Sequence, residues 1–129
     1  MRKEDKVAVV MGGPSKEREI SFLTGNAIWA ALQEKGYNAV AIDLDPAHFV
    51  EQLKESGAKV VFNAVHGLYG EDGRLQGVLE MLGIPYTGSG VLASALAMDK
   101  AYTKHLFENN HVPTARCLYL NKHDAVSPK

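Results

Sequence analysis

The run Val7-Ala8-Val9-Val10-Met11, closed by Gly12-Gly13-Pro14-Ser15, decides the fold. Five apolar residues rich in β-branching, cut off by a glycine turn, read as a strand buried on both faces, the habit of parallel sheets. Ile20, Leu23, Ala27, Ala30 and Ala31 then give an apolar stripe at helical spacing, stopped at Gly36. Asn38 to Leu44 reads as a second strand. Asp45-Pro46 opens a short helix with Phe49, Val50 and Leu53 inward, and Pro46 suits the first helical position because its missing N–H needs no partner there. Gly57 ends that helix, and Lys59 to Val65 is a third strand.

Beyond a polar loop, His66 to Gly73, the residues Leu75, Val78, Leu79 and Leu82 mark a helix ending at Gly83. Ile84 to Thr87 reads as a short strand. Helices follow over Val91 to Met98 and Asp99 to Glu108, the second with Tyr102, Leu106 and Phe107 on one side and Pro113 blocking continuation. Thr114 to Leu120 reads as one more strand. The alternation predicts an α/β fold, an open parallel sheet with helices on both faces joined by right-handed crossovers. Ligands of such sheets sit beyond the carboxyl ends of the strands, so the loops Gly12 to Arg18 and His66 to Gly73 should meet at one edge.

Composition narrows the function classes. The 129 residues suffice for one domain and a little more. With 46% hydrophobic and 22% charged residues, the chain is neither disordered nor collagen-like. A net charge of −1 favours neither nucleic acid nor an acidic membrane surface. The single cysteine, Cys117, excludes an internal disulfide framework and a cysteine-based zinc site. No apolar stretch reaches the roughly 20 residues of a membrane helix, and no signal-peptide pattern opens the chain, so a cytoplasmic location is expected.

Two loops carry candidate chemistry. Gly12-Gly13-Pro14-Ser15-Lys16-Glu17-Arg18-Glu19 is neither a dinucleotide fingerprint nor a P-loop, which argues against a nicotinamide-binding domain. It reads either as a tight turn with Ser15 capping the helix, or as a site where Glu17 holds an ammonium group. In His66-Gly67-Leu68-Tyr69-Gly70-Glu71-Asp72-Gly73-Arg74-Leu75-Gln76-Gly77, Asp72 can cap the next helix and Gly77 can let it pack closely. His66 reads equally as a structural residue or as one at a ligand site. His66, Glu71 and Asp72 lack the further histidine or cysteine that would complete a metal site.

Together these segments resemble the N-terminal part of the D-alanine–D-alanine ligases, ATP-grasp enzymes of bacterial cell-wall synthesis. His66 to Gly77 matches the pattern HGxxGEDGxxQG at every defined position, and Gly12 to Ser21 matches Gly-Gly-x-Ser-x-Glu-Arg-Glu-[Ile/Val]-Ser. Tyr86-Thr87-Gly88-Ser89-Gly90, with Ala93-Ser94-Ala95 and Met98-Asp99-Lys100 behind it, is a third match. The resemblance runs from about Lys6 to Leu120. It implies a Rossmann-like pre-ATP-grasp domain over 1–112, with 113–129 as the linker and first stub of a central ATP-grasp domain.

The resemblance also implies roles. Glu17 would hold the ammonium of the first D-alanine, with His66 beside that substrate, Ser89 and Gly90 in the nearby wall, and Lys100 approaching the ATP phosphates. Members use ATP and magnesium, usually form homodimers, and are more than twice this long. The parts carrying the adenine pocket, the magnesium-binding acids and the second D-alanine site have no counterpart here. The expected reading is therefore a ligase fragment, inactive alone, that supplies the first D-alanine site. The alternative is a standalone binding or dimerisation module.

Overall fold

The computed structural model describes residues 3–120. Three parallel strands, β1 (Val7–Met11), β2 (Ala39–Asp43) and β3 (Val60–Asn63), form a sheet in the order β2-β1-β3. Val9 lies opposite Ala41 on one side and Phe62 on the other. β1 is central and all five of its residues are buried, as its unbroken apolar run predicts. Ala8 and Val10 point into one core with Ile42, Phe49, Leu53, Val61, Leu75 and Leu79. Val9 and Met11 point into a second, with Phe22, Ile28, Trp29 and Leu32 packed against it. The helices that close these cores are α1 (Arg18–Glu34) on the second face, and α2 (Phe49–Ser56) and α3 (Arg74–Met81) on the first. The α/β fold with both faces covered is thus the one expected.

The packed side of α1 differs from the expected stripe. Ile20 and Leu23 are 55% and 69% exposed, and Ala27, Ala30 and Ala31 are exposed as well. The side against the sheet carries Ser21, Gly25, Ile28, Trp29 and Leu32 instead. Close approach explains the choice. A Cβ on Gly25 would lie 2.5 Å from Met11 Cβ, so only a residue without one lets the helix sit this near. One turn earlier Ser21 is fully buried; its Oγ accepts from Gly12 N–H at 2.8 Å and donates to the Ala64 carbonyl at 2.7 Å. The helix is apolar on two sides, and the small residues choose which one packs.

Other expectations change in detail. Ile84 to Thr87 forms only an isolated parallel bridge, Val61 to Tyr86. Val61 N–H donates to Pro85 O and Thr87 N–H to Val61 O, but Pro85 has no N–H to extend the ladder. Pro46 lies in the turn before α2, which starts at Phe49. Gly77 has no atom within 4 Å of where a Cβ would stand, so it is not a close-packing residue. Helices α4 (Val91–Met98) and α5 (Lys100–Asn109) complete the described chain. Asp99 separates them, its carboxylate accepting from the N–H groups of Ala101 and Tyr102. On α5, Tyr102, Leu106 and Phe107 remain exposed. The strand expected over Thr114 to Leu120 does not pair; the segment is exposed and without ladder bonds. Its described contacts are local: Lys104 donates to Thr114 Oγ1 and the Ala115 carbonyl, and Tyr119 stacks on His105 at 5.0 Å. The remainder of the expected stub, 121–129, lies outside the described residues.

Ser21→Ala should be costly for its size. It strips both partners from a buried N–H and a buried carbonyl, each worth about 1–3 kcal/mol when left unsatisfied. Urea unfolding should show a loss of roughly 2–4 kcal/mol, whereas Leu23→Ala, on the exposed side, should change little.

Candidate functional site

Both glycine-bearing loops leave the carboxyl ends of parallel strands; two serines tie them together, and Arg18 ties the first loop to β2. Ser21 joins the start of the first loop to the strand exit at Ala64. Ser15 Oγ donates to the His66 carbonyl at 2.8 Å and accepts from Glu17 N–H at 3.1 Å. The cap position of α1 is Glu17, so the residue expected to cap the helix instead links the two loops. Arg18 grips Asp43 at the end of β2 with both guanidinium nitrogens, at 2.8 and 2.5 Å, and also donates to the Gly13 carbonyl. That hydrogen bond holds the Asp43 carboxyl below the usual carboxylate range, with a smaller contribution from Gly13 N–H, against a modest opposing effect of burial.

Glu17 is therefore delivered to the second loop. A Cβ on Gly67 would come within 2.6 Å of Glu17 Oε2, so the carboxylate lies against the Gly67 backbone. Gly67 also has a φ of +70°, a left-handed conformation that side chains resist. The rest of this loop mostly holds itself. Glu71 Oε2 accepts from Gly67 N–H at 3.0 Å. Asp72 accepts from the N–H groups of Tyr69 and Arg74, the second being the first residue of α3, but the cap position itself is Gly73, so Asp72 supports the helix start from one residue before the cap expected of it. Asn63 and Gln76 both donate to the Gly70 carbonyl, at 2.7 and 2.8 Å.

The His66 ring faces a cleft of about 380 Å³ between α1, β3 and α4, lined also by Thr24, Asn63, Glu71, Gln76 and Ser89. Ser89 and His66 are thereby brought to one cavity. Glu17 lies beside the same loop without lining the cleft. Gly90 caps α4 near Tyr86 and Glu80 and does not line it either. Lys100 is apart from them: it lines a separate cleft of about 280 Å³ with Thr103, Lys104, Phe107 and Cys117. Among the described residues no three His, Cys, Asp or Glu side chains gather to hold a metal. Nor is any described helix long and apolar enough to cross a membrane.

Sequence reasoning passed over Thr24, Asn63 and Gln76 as cleft residues. Gln76 had a signal, its fixed place in the motif; Thr24 had none, because its partner is 42 positions away.

Comparison with known proteins gives this edge its context. The family model described as "D-ala D-ala ligase N-terminus" matches residues 6–58 and 47–89. The chain belongs to the D-alanine–D-alanine ligase family. A D-alanine–D-alanine ligase of Pelotomaculum thermopropionicum is 54% identical over 121 residues, which cover 94% of this chain and 38% of that protein. The Glaesserella parasuis ligase is 50% identical over 125 residues, covering 97% of this chain and 41% of that protein. The crystal structure of the Bacillus anthracis ligase superposes with a TM-score of 0.83 at 37% identity, covering 95% of this chain and 40% of the other; the same ligase complexed with ATP gives 0.83 as well. The chain thus spans about two-fifths of the length of the relatives it matches, and corresponds to their N-terminal part.

The Arg18–Asp43 pair sets a pH dependence. A carboxyl whose pKa is lowered by folding adds stability above its unfolded value, near 4, and loses it as pH falls through the lower folded value. Both side chains are about half exposed, so the effect is small and screened by salt. Asp43→Asn should flatten the acid side of the stability–pH profile measured by urea unfolding at low ionic strength, and leave its slope near neutral pH unchanged.

Proposed function

We propose that this chain supplies the first D-alanine site of an ATP-dependent D-alanine–D-alanine ligase, with 1–112 as the substrate-side domain and 113–129 leading into a central ATP-grasp domain. The observation that carries the reading is the meeting of Glu17 with the His66 loop at the carboxyl edge of the sheet. A carboxylate there suits an ammonium group, and His66 and Ser89 share the adjoining cleft. In the whole enzyme, ATP would phosphorylate the carboxylate of the first D-alanine. The amine of the second would attack that acyl phosphate, forming the peptide bond and releasing phosphate. The share of this chain is positioning: Glu17 fixes the ammonium, so the carboxylate of the same molecule points to one place.

ATP is the proposed cofactor, as it is the ligand named for the Bacillus anthracis structure. Lys100 and Lys104, side by side on one cleft, fit contact with phosphate oxygens. Magnesium would be held by acids outside these residues and would neutralise charge on the transferring phosphoryl group. Homodimerisation in the cytoplasm completes the proposal. The exposed apolar side of α1, with Ile20 and Leu23, and the exposed Leu92 and Met98 of α4 are surface suited to a second copy.

Two measurements test this reading. The 129-residue chain with ATP, magnesium and D-alanine should release phosphate only at background, and clear turnover would overturn the division of labour. Grafted in place of the matching residues of the Pelotomaculum ligase, residues 6–112 should support ligation. In that chimera Glu17→Gln should raise the Michaelis constant for the first D-alanine by about one to two decades, the worth of a charge-assisted contact. Unchanged kinetics would remove Glu17 from the role.

A further inference from the structure

The His66 ring is held between two oxygen-bearing side chains that come from different elements. Its Nε2 lies 3.1 Å from Thr24 Oγ1 on α1. Its Nδ1 lies 3.6 Å from Glu71 Oε1 in the loop. We propose that Thr24 and Glu71 are positioning residues that place the single proton of the neutral His66 ring, wherever that form is populated, on Nδ1, with the ring fixed across the cleft. The functional weight of this lock rests on the reading of His66 as a neighbour of the first D-alanine; the lock itself does not.

A neutral imidazole carries one donor and one acceptor nitrogen. An ionised carboxylate only accepts, so the nitrogen turned toward Glu71 is the one that holds the proton. At 3.6 Å the contact is an electrostatic attraction rather than a direct hydrogen bond, yet a lone pair in the same place would be repelled. Nε2 is then an acceptor, and Thr24, whose hydroxyl can rotate, donates to it. Neither partner is free to follow the ring. The other oxygen of Glu71 accepts from Gly67 N–H at 3.0 Å, and Glu71 N–H donates to Gly67 O at 3.0 Å. Thr24 sits next to Gly25, where α1 is pressed on Met11, and one turn from the buried Ser21. The backbone of His66 is held separately by Ser15.

The consequence is chemical. In this tautomer the ring's only lone pair is occupied by Thr24. His66 then acts by shape and orientation, with Thr24 setting the angle of the plane.

Nuclear magnetic resonance on the 129-residue chain labelled with 15N-histidine tests this without any ligand. The pH should be about 8, above the ordinary histidine range. Two-bond proton–nitrogen correlations identify the protonated nitrogen, and His66→Gln assigns the signals. The expected result is Nδ1–H at His66 in at least about tenfold excess, the reverse of free histidine, as the Thr24 hydrogen bond and the Glu71 attraction together support. Thr24→Val and Glu71→Gln should each move the population toward Nε2–H by about tenfold, and Thr24→Ser should restore it. A wild-type ring in the Nε2–H form would overturn the proposal, whether or not the variants fold. So would a tautomer unchanged in folded Thr24→Val and Glu71→Gln. The substrate reading stands or falls separately, on the kinetics of Glu17→Gln in the chimera.

Discussion

The Ser21 hydroxyl is the constraint on which the rest of the site depends. It is fully buried and satisfies one backbone group from the exit of β1 and one from the exit of β3. Buried backbone groups need partners, and here a single side chain serves two strands at once. The same contact sets how close α1 lies to the sheet, a distance that Gly25 permits on the next turn. Both candidate loops start from the points that Ser21 joins. A change in its length or polarity would therefore shift Glu17 and His66 relative to each other, not either one alone.

The second loop shows how a motif divides its work. Glu71, Asp72 and Gln76 all bond to the loop's own backbone. Those bonds account in structural terms for three of the motif's four fixed polar residues. They leave the His66 side chain facing the cleft, with the Glu17 carboxylate beside the same backbone. A self-supporting loop suits a site whose task is orientation, because a small substrate offers few contacts and each must be placed in advance.

Much of this was legible in the sequence. The three strands follow from short apolar runs, the helices from their stops, and the meeting of the loops from the parallel topology. The packed side of α1 was not legible, because periodicity weighs large apolar residues whereas this contact is built on Ser21 and Gly25. The segment Ile84 to Thr87 looked like a strand by composition, but Pro85 limits it to one bridge. Thr114 to Leu120 has strand-forming residues and no strand beside it to pair with among the described residues. Of the candidate site residues, His66 and Ser89 line one cleft and Glu17 lies against Gly67 of the same loop, whereas Lys100 lies at a second cleft. Thr24 joins them only through a contact across the fold, which local pattern does not reveal.

The position of β1 has a consequence for how the chain is made. The strand synthesised first is the centre of the sheet, and Val7 pairs with both Ala39 and Val60. As the chain leaves the ribosome, Val7–Met11 emerges as a bare apolar strand whose two neighbours have yet to be translated. Pairings this distant in sequence are slow to form, since loop closure must precede any gain from contact. The sheet can close only once β3 is out. Until then the segment best suited to the core is also the one most open to a chaperone or to another nascent chain.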